Sequence, residues 1–92
     1  YEIQVLNGSE VDGEAGRQQS ILEEEEFKIS SIGNADKSDY TKTIIQAKES
    51  VDKDFLDKLK SVLEKSFVIG EMEELPEDSD SDVIVIIGSE TN

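Results

Sequence analysis

Proton transfer near neutral pH is the chemistry of histidine, and nucleophilic attack comes most readily from cysteine. The 92-residue chain contains neither. Carboxylates, lysines and serines remain, and none falls into a spacing that couples a nucleophile to an activating base. Close carboxylate pairs are plentiful, yet 23 acids in 92 residues produce them by composition alone. No autonomous active site is expected: the chain reads as not an enzyme, with no cofactor.

Two segments have the spacing of a ligand loop. Glu77, Asp78, Ser79, Asp80, Ser81 and Asp82 alternate carboxylates and hydroxyls along a turn, the oxygen-rich pattern that a hard cation such as Ca²⁺ favours. Asp78, Asp80 and Asp82 are therefore weak candidate metal ligands. An EF-hand loop would need glycine where Val83 stands and a bidentate glutamate where Ser89 stands, so a solvated acidic turn guarding the next apolar segment is the main expectation. The other segment starts at Asn7 and Gly8 and continues to Gly13 and Gly16, superficially like a phosphate loop. It has neither GxGxxG nor GKS/GKT, and Glu10, Asp12 and Glu14 would put negative charge where phosphate should sit. Its glycines are expected to serve a tight turn and close helix packing.

The charge balance sets partner polarity. With 9 bases against 23 acids the net charge is −14, which repels nucleic acid and anionic lipid headgroups. Arg17 is the sole arginine and is expected to pair with neighbouring acids. Cations, basic proteins and neutral glycans are the compatible partners. No apolar run approaches the ~20 residues that a membrane helix needs, so this stretch does not itself insert. Beginning at Tyr1 without methionine, the chain reads as an excerpt or processed product, with any signal or anchor upstream.

These side chains must be positioned by elements that the hydrophobic pattern predicts. Alternation of Tyr1, Ile3 and Val5 with polar residues predicts a strand over 1–6, broken by Asn7 and Gly8. Val11, Ala15, Gln18 and Leu22 share a helical stripe, predicting a helix over 13–25 that stops within the run of four glutamates at 23–26. Phe27, Ile29 and, after an irregularity, Ile32 predict a strand ending at Gly33 and Asn34. The β-branched run 41–47 predicts another. Phe55, Leu56, Leu59, Val62 and Leu63 define an amphipathic helix over 52–65, with Ser50 as its expected N-cap. A short strand over 67–72, an acidic turn over 73–82 around Pro76, and an apolar strand over 83–87, expected to be buried on both faces, complete the chain. The expected architecture is α+β, a single domain over 1–92. It has two helices on one face of a four- to five-stranded mixed sheet, in ferredoxin-like β-α-β-β-α-β order with an extra strand. A right-handed crossover should make the first strand parallel to the one reached through the first helix.

Several of these segments carry a family resemblance. YEIQVLNGSEVDGEAGR, FKISSIGNADKSDYTKTII and DVIVIIG resemble the LytR C-terminal domain family, which follows the catalytic domain in many LytR-CpsA-Psr cell-envelope proteins. The resemblance rests on Val5, Leu6, Asn7 and Gly8, on Gly13 and Ala15, on Gly33, Asn34 and Ala35, on Tyr40 with Thr43, and on Asp82 to Gly88. It departs from the family pattern at Glu10 and Glu26, where relatives commonly carry glycine. The resemblance implies an extracytoplasmic bacterial domain at the cell surface, tethered through a membrane anchor outside this stretch. It implies no catalytic residue. The family's label of transcriptional attenuator fits the charge poorly if direct DNA contact is meant.

The resulting expectation is a non-catalytic cell-envelope accessory domain that contacts wall glycan or an envelope protein. Its candidate binding residues are Asn7, Gly8, Asn34 and Tyr40, turn residues that follow strand ends and so gather at one rim. Tyr1 and Tyr40 could each stack on a sugar or cover the edge of a small core. The alternative is a structural spacer or oligomerisation module and, behind it, a divalent-cation-binding domain.

Overall fold

A computed structural model describes residues 1–37, 39–65 and 67–88, without the side chain of Glu71. Ser89, part of the calcium-loop comparison, lies outside the described residues. The elements are β1 (Ile3–Asn7), α1 (Glu14–Glu24), β2 (Ile29–Asn34), β3 (Thr43–Lys48), α2 (Lys53–Leu63), β4 (Ile69–Leu75) and β5 (Val83–Ile87). Their chain order is the expected one.

Spatial order adds what chain order leaves open. The sheet runs β2-β1-β5-β3-β4. β1 is parallel to both β2 and β5, β3 is parallel to β4, and β3 meets β5 antiparallel. Each helix therefore joins two adjacent parallel strands, as the crossover argument requires for β1 and β2, and β5 fills the centre between the two units. The apolar sequence VIVII suits that position. Val83, Val85 and Ile87 face the same side as Ile3, Val5, Ile45 and Ala47, and this face is completed by Ala15 and Leu22 of α1 and by Leu59 and Leu63 of α2. Both helices thus cover one face. The Phe27 ring meets Phe55 edge-on at 5.4 Å, tying the end of α1 to α2. The second face of β5 has no helix over it, contrary to the expectation of two covered faces. There Ile84 is half-buried, while Ile86 is buried among its sheet neighbours.

Local chemistry explains where elements begin and end. Val11, though on the predicted stripe, is exposed and precedes the helix, because Gly13 at the N-cap takes a left-handed φ of 79°. The irregularity in β2 is a bulge at Ser30: Ile3 pairs with Ile29 but Gln4 with Ser31, and Ser30 Oγ donates to the Ile3 carbonyl at 3.1 Å. Asp52, not Ser50, caps α2, accepting from the Asp54 N–H at 2.9 Å. Ser50 Oγ instead donates to Glu77 at 3.0 Å. β4 continues through Glu73 and Glu74 to Leu75, so the acidic turn starts later than predicted. An edge strand tolerates charge on its solvent side.

The end of α1 accounts for one departure from the family pattern. The Glu26 N–H donates to the Glu23 carbonyl at 3.1 Å and the Phe27 N–H to the Leu22 carbonyl at 3.1 Å, the paired bonds of a Schellman motif. Glu26 consequently adopts φ 72°, a conformation that costs a side chain with Cβ about 1 kcal/mol. Glu26→Gly removes both that strain and one of four adjacent like charges. Its unfolding midpoint in urea should move up by the equivalent of about 1 kcal/mol, and a decrease would show that the turn needs the glutamate.

Candidate functional site

β1 and β2 are parallel, so their carboxyl ends, and the loops that leave them, lie at the same edge of the sheet. Residues 8–13 form one wall of the resulting cleft and residues 35–37 the other. Asn7 organises the first wall. Its Oδ1 accepts from the Ser9 N–H at 3.0 Å and Ser9 Oγ at 2.7 Å, and its Nδ2 donates to the Val11 carbonyl at 2.8 Å. Its backbone carbonyl accepts from the Ala35 N–H at 3.0 Å, which fixes the two walls relative to each other.

Gly8 sits beneath Tyr40. Its N–H donates to the Ile87 carbonyl at 2.8 Å and its carbonyl accepts from the Tyr40 N–H at 3.1 Å. A Cβ there would stand 2.5 Å from Tyr40 Cδ2 and 2.9 Å from Ile86 Cγ2, so glycine is what lets the ring lie down on the sheet. Tyr40 donates through its hydroxyl to Asp36 at 3.0 Å, and Lys37 Nζ lies 5.8 Å from the ring centroid. The hydrogen bond to Asp36, with smaller contributions that include the charges of Asp36, Glu73 and Asp39, raises the phenol above its ordinary pKa. Asn34 is exposed at the mouth of the cleft.

The four nominated residues therefore do share one rim. They do different things there. Asn7 and Gly8 build the loops, Tyr40 covers the sheet, and Asn34 faces solvent. Asn7 and Asn34 line a cleft of about 430 Å³ together with Ser9, Glu10, Asp12, Asp36 and Lys37; of these five only Glu10 and Asp12 stood out in the sequence, and as charge. The signal available for Asp36 is its place four residues before Tyr40 in the loop after β2. Tyr1 is likewise committed: its ring lies 4.7 Å from Phe55 and its hydroxyl accepts from the Asp52 N–H at 3.0 Å.

The phosphate-loop comparison ends at Glu14. This carboxylate is buried in the first turn of α1, held by Arg17 Nη2 at 2.6 and 2.8 Å and by Gln18 Nε2 at 3.0 Å. A helix start already occupied by a carboxylate is the reverse of an anion site.

In the acidic turn, Asp82 is a clamp between strand starts. Its Oδ2 accepts from the Glu2 N–H at 2.8 Å, and its Oδ1 lies 3.4 Å from Lys48 Nζ. Asp78 and Asp80 are exposed, and among the described residues no group of three or more acids converges in metal-binding geometry. The Glu2 N–H, with help from Lys48, holds the Asp82 carboxyl below its ordinary pKa. A depressed folded-state value contributes stability that is present above the unfolded value and is lost as pH falls through the folded one. Asp82→Asn should lower Tm at neutral pH and flatten its decline below about pH 4 in thermal melts, while an acid limb as steep as the parent's would remove Asp82 from it.

The described surface holds a polar rim at the strand ends, on a small α+β sheet layered with two helices. The chain belongs to the family described as LytR cell envelope-related transcriptional attenuator, whose model matches residues 1–90. It is thus a cell-envelope associated domain, of a family that is appended to other domains and is not a known catalytic one. No curated protein and no solved structure matches it. Among the described residues, no helix is long and apolar enough to cross a membrane.

Proposed function

We propose that the domain is a non-catalytic, extracytoplasmic contact module that joins the envelope protein carrying it to a neighbouring polypeptide. The observation that carries this reading is that, among the described residues, no aromatic ring lines the cleft, whose walls are amide, hydroxyl, carboxylate and lysine groups. Sugar recognition in an open cleft relies on an exposed aromatic face beside it, whereas the half-exposed Tyr1 packs on Phe55 at the opposite end of β1 and Tyr40 lies over Gly8. What the rim offers instead is amide, carboxylate and backbone groups that suit a polypeptide. Anionic wall polymers face a further obstacle in the net charge of −14.

The purified chain should co-sediment with intact cell walls and lose that retention on walls stripped of protein, with or without Mg²⁺ or Ca²⁺. Equal retention on stripped walls would overturn the reading in favour of a glycan ligand.

A further inference from the structure

The two edges of the sheet are not alike. β4 carries Glu71, Glu73 and Glu74 within IGEMEEL, the charged pattern that keeps edge strands from pairing with other chains. β2, at the opposite edge, reads ISSIGN, with no charge and no proline. Ser31, Ile32 and Asn34 are exposed, and from Ser31 to Asn34 the pairing with β1 is regular. The backbone groups that β2 turns away from β1 therefore form an ungated row. The row ends at Asn34, on the cleft, where Glu10, Asp12 and Asp36 outnumber Lys37.

We propose, building on the polypeptide-contact reading, that the partner is an extended segment carrying lysine or arginine, which adds to the sheet along β2 and places its basic side chain in the acid-rimmed cleft. Backbone pairing supplies affinity and the cleft supplies selection for charge. Charge complementarity also decides against a second copy, because each chain carries −14.

The test uses two end-blocked peptides of alternating threonine and valine, one preceded by two lysines and the other by two glutamates, with amide exchange read by NMR on the 92-residue chain. The lysine peptide should slow exchange within β2 and leave β4 unchanged, and the glutamate peptide should bind about tenfold more weakly or worse. Glu10→Lys and Ile32→Lys, both at exposed positions, should each weaken the lysine peptide by about tenfold, the first through the cleft and the second by blunting the edge. Protection of β4 equal to that of β2, indifference to Glu10→Lys, or no binding at millimolar peptide would overturn the proposal. So would slowed exchange in β2 that grows with protein concentration alone, which would assign the edge to self-pairing. A peptide held in the cleft without slowed exchange in β2 would refute strand addition alone and leave the contact reading to the wall assay.

Discussion

Phe67→Ala is expected to lose about 3–5 kcal/mol of stability, the largest effect of any single substitution considered. Phe67 is the bulkiest of the fully buried side chains and belongs to the one core cluster that both helices share with the sheet. It lies four residues past the end of α2, its N–H donating to the Leu63 carbonyl at 3.0 Å, so the ring plugs the core where the chain turns from helix to β4. Truncation removes the transfer energy of the ring and leaves a cavity that the sheet cannot close. A chain of this length has a total of about 5–14 kcal/mol, and the variant should unfold at far lower urea with an unchanged m value. A loss under about 1 kcal/mol would mean that this corner of the core is not packed as described.

Gly88→Ala should cost about 3 kcal/mol for a different reason, overpacking against backbone. A Cβ at Gly88 would lie 2.5 Å from the Lys42 carbonyl oxygen, 2.6 Å from its carbon and 2.9 Å from its nitrogen. A side chain could swing away; the backbone leading into β3 cannot move without breaking the β3–β5 ladder. The same shift would strip the Gly88 N–H of its bond to Thr43 Oγ1, 3.1 Å long and buried. Thr43→Val isolates that bond and should cost about 1–3 kcal/mol, since it leaves the N–H buried without a partner. Denaturant unfolding of both variants checks the pair, and a neutral Gly88→Ala would show that β3 and β5 pass less closely.

Much of this fold was legible because its periodicities are strong. The spacing of Phe55, Leu56, Leu59, Val62 and Leu63 admits only a helix with one apolar face, and Leu59 and Leu63 are indeed its buried centre. The failures share a physical cause: tertiary position overrides local composition. Glu73 and Glu74 look like a turn, yet an edge strand accepts them. Val11 falls on the helical stripe, yet the left-handed Gly13 separates it from α1. The central place of β5 cannot be deduced from chain order, because a strand following β4 has several free edges to join.

The rim was legible in membership and not in role. Asn7 and Asn34 end β1 and β2, Gly8 comes next after β1, and parallel strands deliver their ends to one side; Tyr40 reaches the rim from the loop before β3. That the Asn7 amide is spent on Ser9 and Val11, and that Tyr40 lies on Gly8, depends on loop conformations no spacing encodes. Asp36 went unnoticed for the same reason. Glu26 was visible as the last of four glutamates and as a departure from the family pattern, and the Schellman turn supplies its meaning.

The proposed contact places another polypeptide against the rim beside β2. Its most direct test is a photo-crosslinking side chain placed at Asn34 in the full-length envelope protein in cells, with Ser61, exposed on the outer side of α2, as control. A discrete protein adduct from position 34 and none from position 61 is the predicted result. Carbohydrate adducts alone, or the same adducts from both positions, would contradict it.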